Sequence, residues 1–143
     1  MIQHDLSRFK EMHKLDFETA LSEIRSGRKT THWMWYIFPQ IQGLGRSDFS
    51  KQYAIKNISE AKEFLNDTYL GNNLISISNA LLELKSTNAT EIFGRPDDKK
   101  LKSSMTLFAY VADGNPVFKA VLDKFFDGKQ DYKTLIIIKE MQK

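Results

Sequence analysis

Leu70, Leu74, Ile77, Leu81 and Leu84 follow one another at intervals of four, three, four and three residues. A helix brings such positions to one side, because 3.6 residues complete a turn, whereas a strand changes face at every residue. The pattern recurs along the chain. Leu6, Phe9 and Met12 repeat it, as do Phe17, Ala20, Leu21 and Ile24; Leu101, Met105, Phe108 and Val111; and Val117, Phe118, Val121, Leu122 and Phe125. These stripes predict an all-α domain of about seven to nine mostly short helices in one unit spanning residues 1–143.

Local signals place the helix ends. Asp5 or Ser7 caps a first short helix to about His13, and a second runs from Asp16 to Ser26, with Gly27 as the residue that turns the chain out. Asn57 and Glu60 have the spacing of a capping box. Asp67 or Thr68, Asn88 and Asp131 are the caps expected for three later helices, the first running to about Lys85 and the last from Tyr132 to about Met141. Pro96, Asp97 and Asp98 suit the positive end of another helix. Gly114, Asn115 and Pro116 combine a stop, a cap and a first helical residue. Residues 48–55 are expected to form a short helix through Phe49 and Tyr53. Leu135 to Ile138 has strand propensity but lacks a partner strand, so helix is expected there.

The stretch from Thr30 to Ser47 holds both tryptophans, His32, Pro39, Gly43 and Gly45. His32 to Phe38 is nearly all large and apolar, which suits a buried strand or a buried helix. Thr30 or Thr31 as a cap favours a helix, ended by Pro39. Gly43 and Gly45 allow close backbone approach, and Arg46 and Ser47 would add donors to an anion-binding loop. A tight connecting loop explains the same residues, and neither phosphate-loop pattern, G-x-x-x-x-G-K-[ST] or G-x-G-x-x-G, is present.

Charge and composition narrow the functional classes. The net charge is +3, yet residues 25–51 carry five basic residues against Asp48 alone. That local excess suits an anionic small molecule. Acidic residues elsewhere argue against a dedicated nucleic-acid binder. The chain has no cysteine, so disulfides and thiolate chemistry are excluded. His4 and His13 lack metal-ligand spacing and are expected at the surface; no metal and no cofactor are expected. No apolar run is long enough for a membrane span, and the first residues lack a leader pattern, so a cytoplasmic location is expected.

His32-Trp-Met-Trp-Tyr-Ile-Phe-Pro-Gln40, Gly43-Leu-Gly45, Ile92-Phe-Gly94 and Lys100-Leu-Lys-Ser-Ser-Met-Thr-Leu-Phe108 together resemble the bacterial domain-of-unknown-function family 1810. Its members have often been labelled calpastatin. The resemblance runs from about residue 5 to residue 136 and implies a mostly helical fold. It carries no established activity and therefore no catalytic residues. The calpastatin label implies a disordered inhibitor, but 41% hydrophobic and 12% aromatic residues in regular stripes describe a chain that folds alone.

Each candidate residue has a plain alternative. His32 is a candidate acid or base, against a packed histidine bonded to backbone. Trp33 and Trp35 are candidate stacking residues. Two positions apart on a helix, they point in nearly opposite directions, so one of them belongs to the core. Gln40 could aim its amide into a cleft, or simply be solvated. Lys100, Ser103 and Ser104 form a polar segment on one helix, where Lys100 and Ser104 share a face. A Ser–Lys nucleophile is disfavoured, since the S-x-x-K order is reversed. Ser104 lies on the apolar side and is expected to bond a carbonyl one turn back.

Two functional classes follow. One is a small-ligand domain or enzyme acting on a nucleotide-like or phosphorylated metabolite, using Trp33 or Trp35, Gln40, Gly43, Gly45, Arg46, Ser47, Lys100, Ser103 and Ser104. The other is a non-enzymatic module whose aromatic and basic surface binds a protein or nucleic acid. Convergence of His32, a tryptophan, Gln40 and Arg46 in one concavity would favour the first; a flat aromatic patch would favour the second. The sequence assigns no reaction.

Overall fold

The computed structural model describes residues 4–143; the leader reading at residues 1–3 lies outside them. Nine helices form among the described residues, and no strand: α1 (Ser7–Arg25), α2 (Met34–Ile37), α3 (Asp48–Gln52), α4 (Ile58–Asn66), α5 (Thr68–Glu83), α6 (Ala89–Phe93), α7 (Asp97–Val111), α8 (Val117–Phe126) and α9 (Tyr132–Met141). None of these helices is long and apolar enough to cross a membrane.

Helices α5 and α7 hold the bundle together. α5 packs on α1, α4 and α8, while α7 packs on α4, α6, α8 and α9. A file of phenylalanines runs through the centre. Phe9 of α1 meets Phe64 of α4 edge-on with centroids 5.1 Å apart, Phe64 meets Phe108 of α7 at 5.5 Å, and Phe108 meets Phe118 of α8 at 5.9 Å. All four rings are fully buried, so each supplies a large apolar area plus favourable ring geometry.

Four of the expected caps do their work, while the N-cap position of α1 is Leu6, without a side-chain cap, rather than Asp5 or Ser7. Asn57, Asp67, Asn88 and Asp131 each accept a hydrogen bond from the backbone N–H three residues ahead, which satisfies donors that the helix itself leaves unpaired. At the opposite end of α5, the Lys124 ammonium from α8 donates to the carbonyls of Leu81 and Leu82 at 3.0 Å and to that of Leu84. A cation there also meets the negative end of the helix. Burial pushes the Lys124 amine below its ordinary range.

Several local expectations are corrected. The two helices expected before Gly27 are one, α1, with no break at His13–Asp16. The buried face runs through Phe9, His13, Phe17 and Ala20 without interruption, so the lapse in the apolar stripe is a buried histidine rather than a chain break. α3 ends at Gln52 rather than Ile55. Ile55 instead forms a parallel bridge with Ile41: its N–H donates to the Gln40 carbonyl, and its carbonyl accepts from the Gln42 N–H, both at 2.8 Å. Thr30 and Thr31 do not cap α2, whose N-cap position is Trp33 without a side-chain bond. The first residue of α8 is Val117, whose N–H donates to Asn115 Oδ1 at 3.0 Å. Gly71, in the first turn of α5, is dictated by packing: a Cβ there would lie 1.9 Å from the Leu65 carbonyl oxygen at the end of α4. Any side chain would force these two helices apart.

The histidines also differ from expectation. His4 is half-buried between Glu60 and Glu63, 3.6 and 3.3 Å from their carboxylates. His13 is buried in the core, 1% exposed, between the rings of Phe17, Phe64 and Tyr69. Its Nε2 lies 2.8 Å from the Tyr36 carbonyl and its Nδ1 3.1 Å from the Asn73 side-chain amide. A carbonyl only accepts, so the proton sits on Nε2 and Nδ1 accepts from Asn73. Burial holds the ring at a pKa of about 4, below its ordinary 6.5, although the bond to Tyr36 and the charge of Asp67 favour the cation.

This sets an acid limit on the fold. Between pH 6.5 and 4 the unfolded chain binds a proton that the folded His13 refuses. The contribution of His13 is complete above pH 6.5 and is lost as pH falls through that window, on the order of 3 kcal/mol in all. Denaturant unfolding at a series of pH values should therefore show a steeper loss of stability below pH 6.5 for the native protein than for His13→Gln; parallel curves for the two would contradict the assignment.

Candidate functional site

α2 is a single turn and cannot persist by itself. One stripe of α1 holds it in place. The His13 ring takes the Tyr36 carbonyl, and the Tyr36 hydroxyl donates to Asp16. Burial, then this carboxylate, raise the Tyr36 phenol above its ordinary range. Glu23 gathers the segment leading into α2, accepting from Thr30 N at 2.7 Å, Thr31 N at 3.0 Å, Thr31 Oγ1 at 2.6 Å and Trp33 Nε1 at 2.9 Å. Burial alone would raise this carboxyl, but these donors outweigh it and hold the pKa at about 2.

With α2 fixed this way, Trp33, Met34, Tyr36 and Ile37 go into the core and Trp35 turns outward. The two tryptophans part, although Trp33 precedes the helix rather than lying two positions from Trp35 on it. The Trp35 ring lies 5.1 Å from the ring of Phe49 on α3 and 5.0 Å from Lys100 Nζ on α7. Asp97 steadies that ammonium at 3.5 Å and reaches Lys29 Nζ at 2.9 Å, which itself stands 5.1 Å from the Trp33 ring. One carboxylate therefore sets two lysines, each against a tryptophan.

Polar atoms at this junction are unequally satisfied. Trp33 Nε1 donates to Glu23, but Trp35 Nε1 is buried with no partner. On α7, Ser103 Oγ donates to the Lys99 carbonyl at 3.1 Å and Thr106 Oγ1 to the Lys102 carbonyl at 2.8 Å. Ser104 is fully buried, yet its Oγ has no partner. The carbonyl bond one turn back, expected for Ser104, is made by Ser103 and Thr106 to their own carbonyls but not by Ser104. Ser104 lies one turn beyond Lys100 along α7, and Trp35 stands against the Lys100 ammonium. Buried hydroxyls and indoles are almost always paired, and the exceptions tend to mark strain or function.

The other sequence candidates fall elsewhere. His32 is exposed rather than packed, and its ring has no hydrogen-bond partner among the described residues. Nothing orients it as a base. Gln40 is half-buried and spends its carbonyl on the Ile55 bridge. Ser47 caps α3, accepting from Ser50 N at 3.1 Å, and is occupied by that task. Gly45 faces the Ser50 side chain. Gly43, at φ +108°, lets the loop run against Ile137 of α9, where a Cβ would come within 3.3 Å. Gly43 and Arg46 line a depression of about 320 Å³ with Leu44, Lys133, Ile136 and Ile137. His32, Trp33, Trp35 and Gln40 are not part of it. No group of acidic or histidine side chains suited to a metal ion occurs among the described residues.

Sequence reasoning missed Phe49 and Asp97 as neighbours of this site. The i,i+3 spacing of Asp97 and Lys100 was the available signal. Phe49 had none, because its contact with Trp35 depends on the loop path between them.

The condition of Ser104 has a direct consequence. Replacing a buried hydroxyl that bonds nothing removes a desolvation cost, so Ser104→Ala should raise stability by about 1 kcal/mol. Thr106→Val should lower it by about 1–2 kcal/mol, because Thr106 Oγ1 also accepts from the Asp131 N–H at 2.8 Å and so ties α7 to α9. Chemical denaturation of both variants checks the pair of signs; a destabilised Ser104→Ala would contradict the geometry.

Comparison with known proteins agrees with this architecture. The model of a family described as a protein of unknown function, DUF1810, matches residues 3–138, and the chain belongs to that family. It is similar to the conserved hypothetical protein Rv1873 from Mycobacterium tuberculosis, whose crystal structure superposes with a TM-score of 0.92 at 39% identity, covering 94% of this chain and 96% of that one. No curated protein matches.

Proposed function

We propose that this chain is a small-ligand domain. It takes a nucleotide-like or phosphorylated metabolite at the junction of α2 and α7. Trp35 Nε1, Ser104 Oγ and the Lys100 ammonium are the donors that meet the anionic group. The observation that carries this reading is the unpartnered, buried Trp35 Nε1 on a ring that the Lys100 ammonium approaches to 5.0 Å; Ser104 Oγ, also open, lies one turn further along α7. An indole N–H only donates, a hydroxyl can donate, and an ammonium brings charge, so an oxyanion satisfies all three. Asp97 acts as a positioning residue: it holds Lys100 in place without itself meeting the anion. Phe49, 53% exposed beside Trp35, offers an apolar edge for the uncharged part of the ligand.

The same exposed ring supports a second reading, a module that binds a protein or nucleic acid through Phe49 and Trp35. A thermal-shift screen with nucleotides, nucleotide sugars, sugar phosphates and short single-stranded nucleic acids separates the two. A small ligand at about 100 times its dissociation constant adds about 2.7 kcal/mol, which should raise the midpoint by roughly 5–10 °C in a domain of this size. Lys100→Met and Trp35→Phe should each remove most of that shift, and Asp97→Asn should weaken it. A screen that stays flat, or a shift indifferent to Lys100 and Trp35, counts against the ligand domain and in favour of the module.

A further inference from the structure

The depression between the glycine loop and α9 involves none of the three donors invoked above, and its chemistry is different. Leu44 and Ile137 pack partly against the core, and Ile136 is 43% exposed at the rim. They give the concavity an apolar lining. Arg46 from the loop and Lys133 from the first turn of α9 line it from two separate elements. Both side chains are exposed, and neither is in an ion pair among the described residues. Two lysines that line other depressions have acidic company: Lys10 meets Asp67, and Lys29 meets Asp97. No carboxylate lines the depression that holds Arg46 and Lys133.

We infer that this depression is a binding site for a small amphipathic anion, a free carboxylate or phosphate monoester carrying a short apolar body. The apolar body lies on Leu44, Ile136 and Ile137. The head group takes charge-assisted bonds from Arg46 and Lys133, with Arg46 able to present two parallel donors. The volume of about 320 Å³ stands at the small end of ligand pockets and suits a medium-chain acid rather than a dinucleotide. The close approach of Gly43 to Ile137 fixes the loop wall against α9, so the two cations are carried by elements that touch. Charge selects the head group, and the apolar lining selects against small hydrophilic ions.

The probe is octanoate, with octylamine in its ammonium form and octanol as controls, followed by methyl resonances of Leu44, Ile136 and Ile137 in the full chain. Octanoate should shift these methyls saturably. The Arg46→Ser/Lys133→Ser double variant should weaken it about tenfold or more, octanol should bind more weakly than octanoate, and the ammonium should not bind. Ile136→Glu, at an exposed rim position that tolerates a polar residue, should also weaken octanoate. Lys100→Met should leave it unchanged, which separates this site from the one proposed at Trp35. Absence of saturable shifts, equal binding of anion and ammonium, or binding unaffected by the double variant would overturn the inference. So would attachment to phosphatidylglycerol vesicles without saturable octanoate binding, since that would make the face a lipid contact rather than a pocket.

Discussion

The burial of one neutral histidine orders much of what surrounds it. His13 joins three helices through one ring: it belongs to α1, donates to the Tyr36 carbonyl in α2 and accepts from Asn73 in α5. Both ring nitrogens are used, so the uncharged tautomer is satisfied and the charged one is penalised by its surroundings. His13, Asp16 and Glu23 recur along α1 at helical spacing, with buried Ala20 between them. Each takes a different group from the aromatic stretch: a carbonyl, a phenol and an indole. A single helical turn that would otherwise melt is thereby fixed at both ends, and the outward direction of Trp35 follows from it.

Much of the architecture was legible because it rests on local chemistry. Asn57, Asp67, Asn88 and Asp131 announce helix starts through their own side chains, and all four make the expected bonds. The apolar stripes on α5, α7 and α8 gave the helices and their buried faces. Of the tryptophan pair one is core and the other half-buried, but Trp33 stands before the helix, so the spacing of two residues on a helix is not the cause. The same local logic divided α1 between His13 and Asp16, because a histidine on the buried face interrupts the apolar stripe without ending the helix.

What was hidden depends on contacts between distant residues. No spacing in the sequence shows that His13 meets Asn73, sixty residues away. The need for Gly71 arises from the path of α4, not from α5, and the Ile41–Ile55 bridge exists only once the loop between them has closed. Ser104 is the instructive case for function. A buried serine on a helix has an obvious local partner, and the sequence assigns it. Ser103 and Thr106 take that bond while Ser104 does not, and only three-dimensional accounting reveals the exception. Residues expected to form one cluster also divide: Trp35 meets Lys100 between α2 and α7, Ser104 is buried on α7, Gly43 and Arg46 face α9, Ser47 serves α3, and His32 stands apart.

The two tryptophans make the central proposal accessible to a spectrum. Each indole N–H gives its own proton–nitrogen cross-peak, and here one is already bonded to Glu23 while the other is open. Titration with inorganic phosphate, then with a nucleoside monophosphate, should move the Trp35 indole cross-peak downfield and saturably while that of Trp33 stays in place. A Trp35 cross-peak that does not respond, or one that moves no more than that of Trp33, would contradict the account of this junction as an anion site.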